Sequence, residues 1–178
     1  MFARTERLLL RPGWAEDAPA LARAIADEAI VRNLATAPWP YGVNEAKTFL
    51  DKPQDPVLPT FLLFRRTDGA PELVGGAGFS RTPSGGVEIG YWIARAHWGN
   101  GYAEEAGRQL IEIARTIGLC RVEAGHFIDN PASGRVLEKL GFKATGRTAP
   151  RYSCARGGAQ LCKLFTLDLG CAEEALAA

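Results

Sequence analysis

The spacing of apolar and polar residues in the first third of the chain predicts one strand and two helices. Residues 7–11 read as a strand that Pro12 and Gly13 stop, and apolar residues then recur at helical spacing from 15 to about 29. Prolines and aromatic residues between 33 and 42 predict a loop, and a short helix is expected from about 44 to 50.

The middle of the chain predicts an antiparallel meander. Residues 60–66 and 72–80 read as strands joined by a turn at Asp68-Gly69, and a third strand is expected from 86 to 94. That third strand alternates, which places two sets of side chains on opposite faces of a sheet. One face carries Val87, Ile89, Tyr91 and Ile93, and the other carries Glu88, Gly90 and Trp92.

The strongest helical pattern lies at residues 102–117, where a continuous apolar stripe ends at Gly118. A strand at 121–128, a helix at 131–140 and strands at about 144–152 and 161–169 follow. A meander combined with a strand–helix–strand crossover predicts an α/β fold with a mixed sheet and helices on both faces. We expect one domain over residues 1–170 and a frayed tail over 171–178.

Composition and charge narrow the class of partner. The formal net charge of the 178 residues is +1, so no basic field exists to bind nucleic acid or an anionic membrane. The four cysteines form no C-x-x-C pair, which argues against a metal site and favours reduced thiols. The first ten residues contain charges and no long apolar run, so we expect neither a signal peptide nor a membrane anchor. Together these features favour a cytoplasmic protein.

The candidate chemistry begins at residues 98–103, Trp-Gly-Asn-Gly-Tyr-Ala, between a predicted strand and the strongest predicted helix. Two glycines at this spacing allow a tight turn that points main-chain N–H groups outward. The helix that follows adds the positive end of its dipole at the same place. Such a place binds phosphate or diphosphate. A simple strand-to-helix turn is the alternative interpretation. Rossmann and P-loop sites fit poorly, because the third glycine and the G-K-[ST] sequence are missing.

Three motifs resemble the GNAT acyltransferase superfamily. Residues 88–93 running into 98–106 look like its motif A, and residues 129–133 continuing to 137–142 look like its motif B. The opening residues, 5–11, are similar to the start of the branch related to RimJ and RimL, which acetylate N-termini of ribosomal proteins. The resemblance implies the GNAT fold with a mostly antiparallel central sheet, acetyl-CoA as co-substrate, no metal, and a possible homodimer.

The resemblance also implies which residues bind the cofactor. The residues expected at acetyl-CoA are Trp92, Ile93, Trp98, Gly99, Asn100, Gly101, Tyr102, Ala103 and Asn130. Two positions depart from the family pattern: Trp98 stands where the family has Gln or Arg, and Leu137 stands where many members carry a tyrosine that protonates the leaving thiolate. That tyrosine role has no counterpart at Leu137.

Two residues are candidates for catalysis. Glu88 matches a glutamate that acts as base in RimL-like members, and the alternative is a solvated or salt-bridged strand residue. Ser133 lies one helical turn before Leu137, so its hydroxyl can meet the leaving thiolate on the same side of the helix. The alternative for Ser133 is a first-turn serine that satisfies helix N–H groups, a role that Asn130 can also fill as an N-cap.

The resemblance implies direct transfer of acetyl to a primary amine, either a peptide N-terminus or a small molecule. Free α-amines are neutral far more often than lysine side chains at neutral pH, which weakly favours α-amines with a single carboxylate base. Two alternatives stay open: a catalytically silent acyl-CoA-binding domain, and an acyltransferase for a longer group such as succinyl.

Overall fold

Eight strands form one mixed sheet in the computed structural model, which describes residues 1–170. The predicted tail at 171–178 lies outside the described residues. The strands are β1 (Ala3–Arg4), β2 (Leu8–Arg11), β3 (Thr60–Arg65), β4 (Glu72–Arg81), β5 (Val87–Ile93), β6 (Arg121–Phe127), β7 (Lys143–Ser153) and β8 (Gly158–Asp168). Their order across the sheet is β1-β2-β3-β4-β5-β6-β8-β7. The predicted strands are confirmed, and the short β1 is an addition.

Five α-helices accompany the sheet. They are α1 (Ala18–Ile25), α2 (Glu28–Val31), α3 (Val43–Leu50), α4 (Tyr102–Thr116) and α5 (Pro131–Lys139). The prediction of one helix over residues 15–29 is wrong, because that stretch divides into a 3-10 turn (Ala15–Asp17), α1 and α2. Asp27 causes the break: its backbone is extended, and its carboxylate accepts the N–H of Ala29 at 2.8 Å to start α2.

The sheet is antiparallel except at its centre, as the fold class predicts. β5 and β6 run parallel and share the single register pair Glu88 and Glu123. Beyond that pair the two strands separate, while β5 stays hydrogen-bonded to β4 along its full length. The carboxyl-terminal half of β5 therefore faces an opening in the middle of the sheet.

Two apolar cores cover the two faces of the sheet. One contains the side chains of α4, including the fully buried Leu110, together with Leu137 of α5 and the inward residues of β2–β6. The other packs α1, α2 and α3 against Leu62 and Phe64 of β3. Helices on both faces confirm the predicted layering, and Trp92 lies at the edge of the second core.

The cysteines differ from expectation. Cys120 is disulfide-bonded, so the prediction of reduced thiols is wrong for this residue. Cys154 and Cys162 carry free thiols, and burial, the largest influence, raises the pKa of Cys162 to about 11. Within residues 1–170, no helix is long and apolar enough to cross a membrane. No group of three or more potential metal ligands occurs in the same range.

Candidate functional site

The turn before α4 has the conformation that the glycine spacing predicts. Gly99 and Gly101 both adopt φ of 78°, a left-handed backbone that residues with a side chain rarely enter. Gly101 is the N-cap of α4 and supplies no side-chain cap. Because the first-turn amides of a helix lack intrahelical acceptors, those of Tyr102 and Ala103 offer donors to an anion here.

The partly buried carboxylate of Glu105 fixes this turn to the N-terminal strands. Glu105 accepts from the hydroxyl of Thr5 at 2.6 Å and from the backbone N–H and Nε of Arg7 at 2.8 and 2.7 Å. Arg7 Nη1 also donates to the carbonyl of Asn100 at 2.9 Å, and its guanidinium lies 4.8 Å from the ring centre of Tyr102. These contacts fix the turn to the residues that precede β2.

Three of the predicted cofactor residues use their side chains in contacts within the protein. Trp98 Nε1 donates to the carbonyl of Ile93 at 2.7 Å and so ties the turn to the end of β5. Asn100 Nδ2 donates to the carbonyls of His97 and Trp98 at 3.1 and 3.3 Å. Tyr102 is buried in the core. The side chains of Trp98, Asn100 and Tyr102 thus shape the turn.

The free edge of β5 presents amides to the central opening. Ala94 N–H donates to Val74 of β4 at 2.8 Å, and hydrogen-bonding direction alternates along an antiparallel strand. The peptide groups of Tyr91 and Ile93 therefore point away from β4, toward the opening. The Ile93 carbonyl is already used by Trp98, which leaves its N–H as the outward donor.

Ser133 of α5 contacts β5 across the opening. The hydroxyl of Tyr91 donates to the Ser133 carbonyl at 3.2 Å and lies 3.1 Å from Ser133 Oγ. Burial raises the pKa of Tyr91 to about 12, although the hydrogen bond to Ser133 lowers it, so this phenol stays protonated at neutral pH. The Ser133 hydroxyl is thereby oriented toward β5, and its geometry differs from that of a helix cap.

Asn130 and Leu137 occupy different settings on the same helix. Asn130 is the N-cap residue of α5, but its side chain makes no cap hydrogen bond, so the simple capping interpretation is not supported. Leu137, where the family tyrosine was missing, is 1% exposed and belongs to the core. The polar side chain of α5 that contacts β5 is thus Ser133.

Glu88 lies where β5 and β6 begin to separate and is paired with an arginine. Its Oε2 accepts from Arg151 Nη1 of β7 at 2.8 Å, and its side chain is 17% exposed. Glu88 shares a sheet face with Gly90, which lines a large cavity, but Glu88 is not itself among the lining residues. The structure therefore places this carboxylate beside the cavity floor.

The cavity has a volume of about 590 Å³ and lies on the sheet face opposite α4. Its walls are α1, the loop at 34–41 and α3, and its floor is made by β3, β4 and β5. The floor reaches Gly90, Tyr91 and Trp92, so it ends beside the central opening. Trp92, which is expected at the cofactor, lines this cavity and has its indole against Gly76.

Glu105 gives a stability prediction with a defined pH dependence. Burial raises its pKa, but the hydrogen bonds from Thr5 and Arg7 outweigh burial and place the pKa below its ordinary value of 4.5. A carboxyl with a lowered folded pKa stabilises the protein above the unfolded pKa, and this contribution disappears as pH falls through the folded value. We expect Glu105→Gln to lower the free energy of unfolding by about 1–2 kcal/mol at pH 7 and by much less at pH 3.

Urea denaturation of both proteins at the two pH values measures this difference. Glu112→Gln is the control, because Glu112 on the same helix pairs with Arg115 on an exposed surface. Such exposed pairs contribute little, so its loss should stay below about 0.5 kcal/mol. An equal loss for Glu105→Gln at both pH values would contradict the role of its charge.

The sequence also contains a glycine pattern that predicts the cavity floor. Gly76, Gly78 and Gly90 recur with a period of two on adjacent strands, which predicts a sheet face without side chains. The structure turns this pattern into the cavity floor. Two arginines near the last hairpin form ion pairs: Arg151 binds Glu88, and Arg156 binds Asp129 at 2.9 Å.

Comparison with known proteins identifies the family. Residues 7–143 match the model of the acetyltransferase (GNAT) domain family. The chain is 32% identical over 150 residues to an uncharacterised N-acetyltransferase, p20, of Bacillus licheniformis, covering 80% of this chain and 82% of p20.

Solved structures agree with the fold. A GNAT-family acetyltransferase from Bacillus anthracis superposes with a TM-score of 0.76 at 22% identity, over 95% of this chain and 99% of that one. RimL, a ribosomal L7/L12 α-N-protein acetyltransferase solved with coenzyme A, gives a TM-score of 0.75 at 17% identity, over 94% and 98%. Such identities show the fold alone; with the family match over most of the sequence, the chain belongs to the GNAT acetyltransferases and is an acyl-CoA-dependent acyltransferase.

Proposed function

We propose that this protein is an N-acetyltransferase of the RimJ/RimL-like kind, which transfers acetyl from acetyl-CoA directly to a primary amine. The observation that carries the proposal is the pairing of two features, the free edge of β5 at Tyr91 and Ile93 and the left-handed glycine turn before α4. The first-turn amides of α4 lack intrahelical acceptors, and the amides on the free edge of β5 point away from β4. Structural likeness to RimL, which was solved with coenzyme A, supports the same donor here.

The donor is expected to bind along the β5 edge and the glycine turn. The amides of the turn at Gly99–Ala103 would hold the diphosphate, with the helix dipole favouring its negative charge. The peptide groups of Tyr91 and Ile93 would pair with the pantetheine amides in the manner of an added strand. Asn130, whose side chain makes no cap hydrogen bond, is the candidate partner for the same arm.

The transfer needs three groups near the thioester. The amine nitrogen forms a bond to the acetyl carbon, the carbon–sulfur bond breaks, and one amine proton must leave. The N–H of Ile93 would stabilise the oxyanion, and Glu88 would accept the proton directly or through water. Ser133 Oγ–H would hydrogen-bond the departing thiolate, so this hydroxyl takes the place of the tyrosine missing at residue 137.

The Ser133 role gives a kinetic prediction. We expect Ser133→Ala to lower kcat about tenfold, because a hydrogen bond to a charged sulfur is worth roughly 1.5 kcal/mol or more. The KM for acetyl-CoA should change less than about twofold. Steady-state thiol release measures both parameters, and Tyr91→Phe, which removes only the orienting hydroxyl, should give a smaller loss of kcat. A change in kcat under about twofold for Ser133→Ala would favour a purely structural serine.

The two alternatives make different predictions. A silent binding domain would bind acetyl-CoA without releasing thiol for any amine. A succinyl transferase would need a cation beside Trp92, but among the lining residues of the cavity the cation is Lys52, which lies on the exposed side next to α3. A thiol-release assay with acetyl-CoA and succinyl-CoA over a panel of peptides and small amines tests the proposal. Release above background with acetyl-CoA and any amine supports it.

The cellular location and the oligomeric state of the protein are further parts of this proposal. Acetyl-CoA is a cytoplasmic metabolite, so we place the protein in the cytoplasm. The homodimer that the family resemblance implies stays a prediction, and sedimentation of the purified protein tests it.

A further inference from the structure

The cavity on the acceptor side has an unusual floor. Gly78 and Gly90 face each other as a register pair in β4 and β5, and Gly76 is the next residue on the same face. A Cβ added at Gly90 would meet no atom within 4 Å, although Gly90 lies in a central strand of the sheet. The space directly above Gly90 is therefore open, and it belongs to the cavity.

The position of this space is suited to an acceptor. Gly90 lies one residue before Tyr91 and three before Ile93, the residues whose peptide groups face the central opening. A molecule lying over Gly90 would hold its amine beside those groups. Gly90 therefore lies where the acceptor has to pass to reach the acyl carbon.

The interior of the cavity is apolar. The buried lining residues whose side chains belong to the core on this face are Leu21, Ile25, Ala37, Tyr41 and Leu62. Phe61, Ala77 and Phe79 border the cavity from strands but pack their side chains into the core on the α4 face. The hydroxyl of Tyr41 is a polar exception, and burial, followed by the charge of Glu45, raises its pKa to about 12, so it stays neutral. The inner wall thus presents hydrocarbon and a single phenol.

Most of the hydrophilic lining residues are exposed at the rim. Besides Glu45, they are Thr36, Asn44, Thr48, Lys52, Thr60 and Ser80, and all of these except the half-buried Thr60 are exposed. Glu45 supplies the carboxylate among the lining residues, and its Oε2 accepts the N–H of Gly42 at 2.9 Å to start α3. Within the described lining there is accordingly no cluster of carboxylates that would bind several ammonium groups at once.

Desolvation of the acceptor amine in this cavity favours amines with a single nitrogen. Transfer of an ammonium group into an apolar site disfavours its charged form and lowers its pKa, which increases the fraction of neutral, nucleophilic amine. An amine with one nitrogen gains from this effect. A polyamine or aminoglycoside has further charges that the same wall would leave unpaired at considerable cost.

We propose that this cavity binds the acceptor and selects a primary amine carried on an apolar or aromatic body. This inference rests on the proposed acetyl transfer. The same chemistry is available from a free arylalkylamine and from a peptide whose first residue has a large apolar side chain. The apolar body occupies the space between α1, the loop at 34–41 and the sheet, and the amine passes over Gly90 to the central opening.

Thiol release with acetyl-CoA tests the selectivity. The probes are 2-phenylethylamine, ethanolamine, spermidine, and two matched peptides that begin with Phe or Ser. We expect kcat/KM for 2-phenylethylamine to exceed that for ethanolamine and spermidine by about 10- to 100-fold, the gain from burying one phenyl group. The peptide pair identifies the source: preference for the Phe peptide over 2-phenylethylamine indicates an N-terminus, and the reverse indicates a small molecule.

Gly90→Val tests the position of the site. The added Cβ meets no atom within 4 Å and valine is compatible with a strand, so the fold should persist while the new side chain occupies space over the cavity floor. We expect kcat/KM for 2-phenylethylamine to fall at least about 30-fold, while the calorimetric Kd for coenzyme A stays within about twofold. Gly158→Val is the matched control, because Gly158 begins strand β8 outside the cavity and also has open space around it. Gly90→Ala is a milder second variant.

The outcomes separate this inference from the function on which it rests. Equal or better turnover of spermidine, or an unchanged rate in folded Gly90→Val, overturns the apolar-acceptor inference and leaves acetyl transfer intact. Absence of thiol release with every amine, together with absence of coenzyme A binding, overturns the proposed function itself. Selectivity for aromatic amines that Gly90→Val removes and Gly158→Val retains supports the inference.

Discussion

Replacement of Gly101 by valine is expected to weaken coenzyme A binding at least about 100-fold. Gly101 has φ of 78°, where a β-branched residue is strongly disfavoured, so the backbone must leave its present conformation. The turn would then lose the alignment of several amides, each of which contributes roughly 1.5 kcal/mol or more when it donates to a charged group. Isothermal titration calorimetry with coenzyme A measures the loss.

Gly118→Val is the control for strain. Gly118 also has φ of 78° and has no neighbouring atom within 4 Å of an added Cβ, but it lies at the other end of α4. The two variants should lose similar thermal stability, whereas only Gly101→Val should lose affinity. If folded Gly101→Val keeps its Kd within about threefold of the wild type, the turn does not hold the diphosphate.

Replacement of Glu88 by glutamine is expected to lower kcat about 100- to 1,000-fold, within the range that general base catalysis contributes. Glutamine has the size of glutamate and keeps an oxygen that can accept the hydrogen bond of Arg151, now 2.8 Å from Oε2. The local structure should therefore persist while the base is lost. Steady-state kinetics between pH 6 and 9 would show the loss at neutral pH, and the KM for acetyl-CoA should change little.

Glu123→Gln is the matched control for this variant. Glu123 is the register partner of Glu88 on the neighbouring strand β6, so the same substitution can be made beside the site. Its kcat should stay within about twofold of the wild type. A rate for Glu88→Gln that equals the wild-type rate at every pH would remove Glu88 from the mechanism and leave its pairing with Arg151 as a structural contact.

The fold was largely predictable because local patterns dominate it. The apolar stripe of α4 and the alternation in β5 gave bounds within one residue of the observed elements. The helix at 15–29 was predicted wrongly because its apolar spacing continues across Asp27. The spacing alone does not show that the Asp27 carboxylate caps a new helix. The side chains of α1 and α2 both pack with β3 in one core.

The candidate site was predictable only where it is continuous in sequence. The glycine turn, Ser133 and Glu88 are recognisable from motifs. The contacts that position them join residues far apart: Tyr91 with Ser133 at 42 residues, Arg151 with Glu88 at 63, and Arg7 with Glu105 at 98. No local pattern encodes such pairs, and the alternation of β5 accordingly predicted only the sheet face of Tyr91.

Amide resonances of the turn before α4 provide the most direct test of the central claim, which is that main-chain N–H groups of residues 99–103 hold the diphosphate of coenzyme A. In ¹H–¹⁵N spectra of the whole protein, saturating coenzyme A should shift the amide protons of Gly101, Tyr102 and Ala103 downfield, as expected for donors that gain a charged acceptor. Pantetheine, which lacks the diphosphate, should leave them in place. If saturation with coenzyme A moves other resonances while these three stay unchanged, the assigned binding site is wrong.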